Sequence, residues 1–403
     1  MQRTVQQRCV IFLVIPILLL TIGFASVVFA KQKAPAVAKP KAKPEAGYRS
    51  AVLMDAETGQ ILFEKNLHEK VIPASLVKMM VILLTLEKIE AGQIHFSDTV
   101  TVSDWASKIG GQQVYLQRGE TFPLEELLKA VAISSANDAA TAVAEFLAGD
   151  TAAFVNVMNA RAKELGLNDT KFANVHGLPP DKGQEENETS AYDIALLGRE
   201  LLRRHPQVLK WSATLEAPFR NGTFTLTNTN RELLLRYSGA DGLKTGYHPR
   251  GAAFTVCATA KRQDRRLIAV VMGAAAKGDR YRAVVDMFNM GFNQFERVVA
   301  LRKGFSIGNP LPVVGGKNRT TAVVAANDAV VLVEKGQAKL IKTAIHLPVK
   351  ELTAPVSKGT KVGEAVVSLG EREIGKVDLV VEDEIKKGNV VDRLKNWIVD
   401  KAS

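Results

Sequence analysis

Cysteine is almost absent from this sequence, with two residues among 403. Cys9 lies in the apolar N-terminal segment, and Cys257 lies in the apolar run Phe254–Ala258. A chain with one cysteine outside its N-terminal segment forms no internal disulfide, which excludes the small disulfide-stabilised scaffolds. We interpret Cys257 as a buried strand residue rather than as a thiol nucleophile.

Aromatic residues are scarce as well, at 6%, and the positive charge is unevenly distributed. The net charge is +11, but residues 1–46 carry seven Lys or Arg residues and one Glu, which leaves +5 for the remaining 357 residues. Nucleic-acid-binding domains combine a dense basic patch with aromatic side chains that stack on bases. We therefore expect no nucleic-acid partner.

The short motifs of several enzyme classes are also missing. The sequence contains no H-E-x-x-H, no G-x-S-x-G, no Walker loop and no pair of C-x-x-C clusters. Its six histidines do not have the spacing of metal ligands, so we expect neither a metal nor another cofactor. His176, which precedes Gly177, is predicted to have a structural role in a turn.

The N-terminus has the pattern of an export signal. Arg3 and Arg8 precede an uncharged stretch from Cys9 to Ala30, and the small residues Val28 and Ala30 suit cleavage after Ala30. We predict a signal peptide at residues 1–30, with an uncleaved membrane span as the alternative. Residues 31–46 are rich in Lys, Ala and Pro and are predicted to be an extended linker. The rest of the chain is expected outside the cytoplasm.

Residues 47–297 have the pattern of a folded domain. Two β-rich runs flank a turn, a block of segments with helical spacing follows, and two strands and a helix close the domain. This order predicts an α+β fold in which helices pack on an antiparallel sheet. The predicted strands are Ser50–Met54, Gln60–Glu64, Ala252–Ala260 and Arg266–Gly273, and the predicted helices are Leu76–Ala91, Leu124–Ile133, Asp138–Leu147, Thr151–Leu165, Ala191–Arg203 and Arg280–Phe292.

Two further segments follow this domain. Residues 298–384 are predicted to form a small all-β domain, because short β-branched runs alternate there with Gly, Asn and Pro turns. Residues 385–403 are predicted to form an amphipathic helix whose apolar face includes Val390, Leu394 and Trp397. Such a helix either docks on the β domain or lies at a membrane surface.

Three short motifs could carry the chemistry. Ser75 and Lys78 form an S-x-x-K sequence at the start of a predicted helix, where a spacing of three residues puts both side chains on one face. An amine can activate a serine hydroxyl if burial and a nearby positive charge lower its pKa toward neutrality. The alternative is an ordinary helix start with a solvated lysine.

The other two motifs are weaker by themselves. Ser135 and Asn137 form S-x-N in the break between two helices, where they could equally be capping residues. Lys244, Thr245 and Gly246 form K-T-G in the late strand region. Lysine and threonine could bind a carboxylate and glycine allows close backbone approach, although a strand-entry turn has the same sequence.

The combination is far more specific than its parts. Each motif occurs once, in the order S-x-x-K, S-x-N and K-T-G, separated by 60 and 109 residues. The sequence resembles the low-molecular-mass penicillin-binding proteins, the serine-type D-alanyl-D-alanine carboxypeptidases, from about Ser50 to its end. The resemblance implies a β-lactamase/transpeptidase-like catalytic domain followed by a small all-β domain. Further matching blocks are Pro73–Met80, Asn174–Leu178, Asp241–Gly246 and Gly291-Phe292.

The resemblance implies a role for each residue of the predicted site. Ser75 is expected to form an acyl-enzyme with the penultimate D-alanine of a peptidoglycan stem peptide, Lys78 to take its proton, and Ser135 to protonate the leaving D-alanine. Asn137 is expected to hold the substrate amide. Lys244 and Thr245 are expected to bind the terminal carboxylate, helped by Arg280. The backbone N–H groups of Ser75 and of Tyr247, the residue after Gly246, are expected to bind the oxyanion.

The resemblance has further implications. β-Lactam antibiotics are expected inhibitors, and the C-terminal helix is expected to attach the protein to the outer face of the cytoplasmic membrane, on the periplasmic side. Tyr247 follows Gly246 where some relatives have histidine, and Ala136 stands where many have glycine, which leaves the reaction class unchanged.

Two other functions share features with this sequence. A β-lactamase needs a base such as Glu-x-x-x-Asn, and Glu164 and Asn168 match that string, but Glu164 is predicted to close a helix capped by Gly166. A non-catalytic wall-binding scaffold is not favoured, because every predicted catalytic residue is present.

Overall fold

A computed structural model describes residues 47–251 and 253–389. The predicted signal peptide at 1–30, the linker at 31–46 and residues 390–403 of the predicted C-terminal helix lie outside the described residues. Within the described part of the chain, no helix has the length and apolar character needed to cross a membrane.

A five-stranded antiparallel sheet forms the centre of the first domain. Its strands lie in the order β2-β1-β9-β8-β7, so that β7 forms one edge. Paired strands run antiparallel throughout, with Ser50 opposite Met272 and Lys244 opposite Cys257. The strands are β1 (Ser50–Asp55), β2 (Ile61–Lys65), β7 (Ala240–His248), β8 (Ala253–Arg262) and β9 (Arg265–Ala274), and the short hairpins are β3 (Thr99–Thr101) with β4 (Thr121–Pro123) and β5 (Glu216–Phe219) with β6 (Phe224–Thr227).

Helices cover both faces of this sheet. The block from α1 to α7 contributes to one apolar core, and α9 contributes to a second core on the other face. The α-helices of the described residues are α1 (Lys78–Glu90), α2 (Asp104–Lys108), α3 (Leu124–Lys129), α4 (Asn137–Ala148), α5 (Thr151–Glu164), α6 (Ala191–Arg204), α7 (Val208–Ser212), α8 (Arg231–Arg236) and α9 (Lys277–Gln294).

The alternation of side chains along β1 shows why both faces are apolar. Val52 and Met54 belong to the core under the helical block, whereas Ala51 and Leu53 belong to the core under α9. Successive residues of a strand point to opposite faces, so a strand buried on both sides must be apolar at every position. This three-layer arrangement confirms the predicted α+β fold.

The second domain is all-β, as predicted. Its largest sheet has the order β13-β18-β17-β15, and smaller sheets have the orders β12-β11-β16 and β10-β14. The strands are β10 (Phe295–Leu301), β11 (Leu311–Val314), β12 (Thr320–Thr321), β13 (Val323–Ala325), β14 (Ala329–Glu334), β15 (Ile341–His346), β16 (Leu352–Thr353), β17 (Lys361–Leu369) and β18 (Arg372–Val381). Their inward-facing valine, alanine and leucine residues form a separate core.

Residues 385–388, which the sequence analysis assigns to the C-terminal helix, lie against the β domain. Ile385 is buried and forms a β-bridge with Val356, and Lys387 forms one with Gly316. The backbone N–H of Gly388 donates to the carbonyl of Gly315 at 2.9 Å. The last described residues therefore belong to the β domain, whose end lies beyond residue 384.

Two differences from the predicted elements affect the site. The predicted helix Leu124–Ile133 is divided into α3 and a π-helical turn at Ala130–Ser134. The K-T-G motif lies well inside β7, which begins at Ala240 rather than after Gly242. Periodicity alone cannot distinguish the two kinds of turn here, because all five residues of Ala130–Ser134 are buried and show no one-sided pattern.

Candidate active site

Ser75 lies in a short 3₁₀ turn, Ala74–Val77, immediately before α1. Pro73 precedes this turn with φ −71°, the value to which a proline ring restricts the backbone at a helix start. Ala74, Leu76 and Val77 are buried, whereas Ser75 is half-exposed. The turn is thus anchored in the core on both sides of the hydroxyl that it presents.

Lys78, the first residue of α1, is fully buried at 0% exposure. Its Nζ lies 3.0 Å from Oγ of Ser75 and donates a hydrogen bond to the carbonyl oxygen of His176 at 2.6 Å. Burial lowers the pKa of Lys78 well below its ordinary value, and the positive charge of Lys244 lowers it further, against the opposing effect of Asp138. A neutral amine beside a serine hydroxyl is able to act as its base.

The loop that contains His176 and Gly177 closes over this pair. Gly177 has φ +78°, and a Cβ there would lie 2.1 Å from the carbonyl oxygen of Ala74, so that only glycine fits. The ring Nδ1 of His176 accepts a hydrogen bond from the N–H of Leu178, and burial together with Lys78 lowers the pKa of His176 to about 3. His176 thus acts as a neutral structural residue, and its functional group is the backbone carbonyl.

The S-x-N motif lies where the π-helical turn meets α4. Ser135 has φ +63°, in the left-handed region, and its Oγ is buried without a hydrogen-bond partner among the described residues. Asn137 donates from Nδ2 to the carbonyl oxygen of Gly110 at 2.8 Å, while its Oδ1 is likewise unpaired. Buried polar atoms rarely stay unpaired, so these two are free to bind a substrate.

Asp138, which the sequence analysis did not single out, fixes the loop next to this motif. Its buried carboxylate accepts hydrogen bonds from the backbone N–H groups of Val114 and Leu116 at 3.0–3.2 Å. The same loop supplies Gly110, which holds Asn137. The only sequence feature that could have predicted this role is the position of Asp138 directly after S-x-N. Aspartate is common at the start of helices, so its presence there did not indicate a special function.

The K-T-G motif lies on the edge strand β7. Lys244 is 1% exposed, and its Nζ donates to the carbonyl oxygen of Thr245 at 3.1 Å. Burial and the charge of Arg280 lower the pKa of Lys244 to about 7. A Cβ on Gly246 would lie 3.0 Å from the backbone nitrogen of Ser75, so this strand runs directly against the turn of the serine.

Arg280, in α9, contacts the backbone of this strand, and Tyr247 belongs to the strand itself. Arg280 is 3% exposed, and its guanidinium donates to the carbonyl oxygens of Gly246 and Thr255 at 3.3 and 3.0 Å and to the hydroxyl of Tyr281 at 2.9 Å. Tyr247 is 57% exposed and packs its ring on Phe254 at 4.8 Å between centroids. Arg280 therefore supports the backbone of the strand, whereas Tyr247 borders it at the surface.

Glu164, the candidate base of a β-lactamase, and Cys257, the candidate thiol nucleophile, do not belong to this site. Glu164 ends α5, is 64% exposed and forms an ion pair with Arg161 at 3.0 Å, which fits a helix end and not a buried base. Cys257 is fully buried, and burial raises the pKa of its thiol, so it stays protonated. Within the described residues, no cluster of His, Cys, Asp and Glu is suited to hold a metal ion.

The three motifs therefore meet at one place. Ser75 and the buried Lys78 lie together with the unpaired Oγ of Ser135 and Oδ1 of Asn137 and with a lysine on an edge strand. They define a serine–lysine site of the acyl-transfer class, built on a two-domain α+β protein.

Comparison with known proteins gives the family. The family model for D-alanyl-D-alanine carboxypeptidase matches residues 36–276, and that for the penicillin-binding protein 5, C-terminal domain matches residues 295–387. The chain is 35% identical to the D-alanyl-D-alanine carboxypeptidase DacF of Bacillus subtilis over 98% of each chain, and 32% identical to DacC of Escherichia coli over 89% of each. The chain belongs to the D-alanyl-D-alanine carboxypeptidase family and is a serine-type enzyme, which confirms the resemblance.

Solved structures agree with this assignment. Penicillin-binding protein 5 of Haemophilus influenzae matches 86% of this chain and 100% of its own, with a TM-score of 0.76 and 29% identity. Penicillin-binding protein D2 of Listeria monocytogenes, in its ampicillin-bound form, matches 63% of this chain and 100% of its own, with a TM-score of 0.57 and 28% identity. The first match extends over both domains.

We predict that Gly177→Ala slows acylation of the enzyme by benzylpenicillin by at least about tenfold, because the new methyl group must displace the carbonyl of Ala74 and with it Ser75. Gly183→Ala is the matched control: Gly183 also has a positive φ, +90°, but a Cβ there meets no atom within 4 Å. The acylation rate of each variant is measured by mass spectrometry over time. Equal rates in the two variants would show that the contact between Gly177 and the carbonyl of Ala74 does not position Ser75.

Proposed function

We propose that this enzyme removes the terminal D-alanine from peptidoglycan stem pentapeptides through an acyl-enzyme on Ser75. The observation that carries the proposal is the 3.0 Å approach of Oγ of Ser75 to the amine of a fully buried Lys78. Burial lowers the pKa of Lys78 well below its ordinary value, which favours the neutral amine that can accept the hydroxyl proton.

Acylation then follows in two steps. Oγ of Ser75 attacks the carbonyl carbon of the penultimate D-alanine while its proton passes to Nζ of Lys78, and the backbone N–H groups of Ser75 and Tyr247 receive the oxyanion. The bond to the terminal D-alanine breaks as Ser135 passes a proton to the leaving amine and regains one from Lys78. Water later hydrolyses the ester on Ser75 and regenerates the enzyme. The buried, unpaired Oγ of Ser135 supports its role as the proton donor.

Substrate binding uses the remaining site residues. Asn137 offers its unpaired Oδ1 to the substrate amide, and Lys244 and Thr245 bind the terminal carboxylate. Arg280 strengthens that subsite through its charge and by holding the carbonyl of Gly246, instead of by direct contact. The outer edge of β7, the last strand of its sheet, is available to pair with an extended peptide.

β-Lactam antibiotics are the second ligand class of the proposal. A β-lactam carries a carboxylate and a reactive amide, as the peptide substrate does. Lys244 and Thr245 can therefore bind the carboxylate of either ligand, and Ser75 can attack the amide of either. The ampicillin-bound form of the Listeria monocytogenes relative supports this view. We expect covalent binding at Ser75, which is also the property that separates an active enzyme from a non-catalytic scaffold.

The location of the enzyme completes the proposal. Export by the segment at residues 1–30 fits a peptidoglycan substrate, which lies outside the cytoplasm. The apolar face of residues 390–403, with Trp397 near its end, is suited to lie at the outer surface of the cytoplasmic membrane.

Replacement of the nucleophile gives the first test. We predict that Ser75→Ala abolishes both D-alanine release from a D-alanyl-D-alanine pentapeptide and covalent labelling by a fluorescent penicillin, because the described site offers no second serine beside Lys78. Mass spectrometry measures both products. Ser107→Ala, at a surface position, is the control and should retain both activities. Labelling of the Ser75→Ala protein at another serine would refute the proposed site.

The pH dependence tests the two lysines. Acylation should rise with pH as Lys78 loses its proton, and kcat/KM for the pentapeptide should fall above about pH 7 as Lys244 loses its charge. We predict that Lys244→Arg moves this alkaline limb to higher pH, because a guanidinium keeps its charge to a pH above about 12.

Two comparisons make the pH test decisive. Lys261→Arg, on the exposed surface of β8, should leave the profile unchanged. Thermal melting shows whether the Lys244→Arg protein is folded. An alkaline limb at the same pH in folded Lys244→Arg protein would show that Lys244 does not set it.

Truncation tests the membrane proposal. Expressed behind an efficiently cleaved signal peptide, a protein that ends at Asn389 keeps the β-bridges of residues 385–388 and loses the predicted amphipathic helix. We predict that it moves from the membrane to the soluble fraction with unchanged activity on small peptides. If it still sediments with membranes, residues 390–403 are not the anchor.

A further inference from the structure

Thr229 lies beside the K-T-G motif, in the segment between β6 and α8, although no short motif marks it. Its Oγ1 lies 2.8 Å from Oγ1 of Thr245, and the residue is half-exposed. The hydroxyl of Thr229 is therefore in hydrogen-bond contact with Thr245, the residue that we propose binds the substrate carboxylate.

Both backbone groups of Thr229 are held by elements of the site. Its N–H donates to the carbonyl oxygen of Ile133 at 3.2 Å, in the π-helical turn that leads to Ser135. Its carbonyl oxygen accepts from the hydroxyl of Tyr281 at 3.4 Å, and that hydroxyl accepts in turn from Arg280. Thr229 is thus fixed between the S-x-N motif and the arginine, and its hydroxyl is the one polar group left for a ligand.

The two threonine hydroxyls hold one donor in reserve. A hydrogen bond between two hydroxyls uses one of their two protons, and the second proton has no acceptor among the described residues. A carboxylate has two acceptor oxygens side by side. Because Thr245 donates to Thr229, the free proton is that of Thr229, and one carboxylate oxygen can accept it. The second oxygen can accept from Thr245 once the hydroxyl of Thr245 turns from Thr229 to the ligand.

Arg280 and Lys244, two cations near this subsite, both donate hydrogen bonds to groups of the protein. The terminal nitrogens of Arg280 donate to Gly246, Thr255 and Tyr281, and its Nε is buried without a partner among the described residues. The amine of Lys244 donates to the carbonyl of Thr245 and has a pKa of about 7, so its charge is only partial near neutral pH. A substrate carboxylate here needs directed neutral donors as well as positive charge.

We propose that Thr229 is a substrate-binding residue whose hydroxyl donates a hydrogen bond to the terminal carboxylate of the substrate, together with Thr245. This inference rests on the proposed function of the K-T-G strand. It adds a fourth chain segment, residues 228–230, to the three motifs and makes that segment a determinant of carboxylate recognition.

The test compares ligands with and without the carboxylate. The second-order rate of acylation is measured by mass spectrometry with benzylpenicillin and with its methyl ester, for wild type, Thr229→Val and Thr229→Ser. A hydrogen bond to a charged group corresponds to a loss of roughly tenfold to a hundredfold in rate when it is removed. We expect Thr229→Val to lose this factor with benzylpenicillin and not with the ester, and Thr229→Ser to recover most of the rate.

The controls make each result informative. Thr225→Val, on the exposed side of β6, should match wild type with both ligands. Equal losses of Thr229→Val with both ligands would assign Thr229 a structural role, and an unchanged rate, or an equal loss in Thr229→Ser, would also overturn the inference. If wild type is acylated by neither ligand, the proposed function itself fails. If wild type is acylated normally and Thr229→Val behaves like it, the inference about Thr229 alone fails.

Discussion

The burial of two lysine amines is the constraint on which the site depends. Lys78 and Lys244 are 0% and 1% exposed, and neither forms an ion pair within the described residues. A buried ammonium without a paired anion is costly, so the neutral form is favoured and the pKa of each lysine falls. The burial that would otherwise only destabilise the fold thus creates the base that a serine needs.

The rest of the fold serves to bring these groups together while leaving one side open. α1 places Lys78 under the turn of Ser75, the loop at Gly177 packs on Ala74, and the edge strand β7 presents Lys244 opposite them. Because β7 is the last strand of its sheet, no further strand of the described residues pairs with its outer edge. A central strand would give the same burial but would leave no edge unpaired.

Sequence could predict the parts of the site that side-chain identity determines. Ser75, Lys78 and the K-T-G residues are recognisable because their chemistry needs these residue types. The carbonyl of His176 and the φ of Ser135 were not predictable, since backbone groups leave no mark in residue identity. Arg280 was predicted as a site residue, but its contacts with backbone carbonyls were not. Thr229 was not predicted, because the position of its segment depends on long-range packing.

The pKa shifts of the two lysines are linked through the substrate. Arg280 lowers the pKa of Lys244, and the charge of Lys244 lowers the pKa of Lys78. A carboxylate bound at the proposed subsite favours the charged form of Lys244. That added charge favours the neutral form of Lys78, the form able to take the proton of Ser75. The negative charge of the carboxylate itself acts on Lys78 in the opposite direction, so the two effects of a bound ligand offset each other. The low pKa of Lys78 therefore depends chiefly on burial, the largest cause of its shift, and not on the ligand.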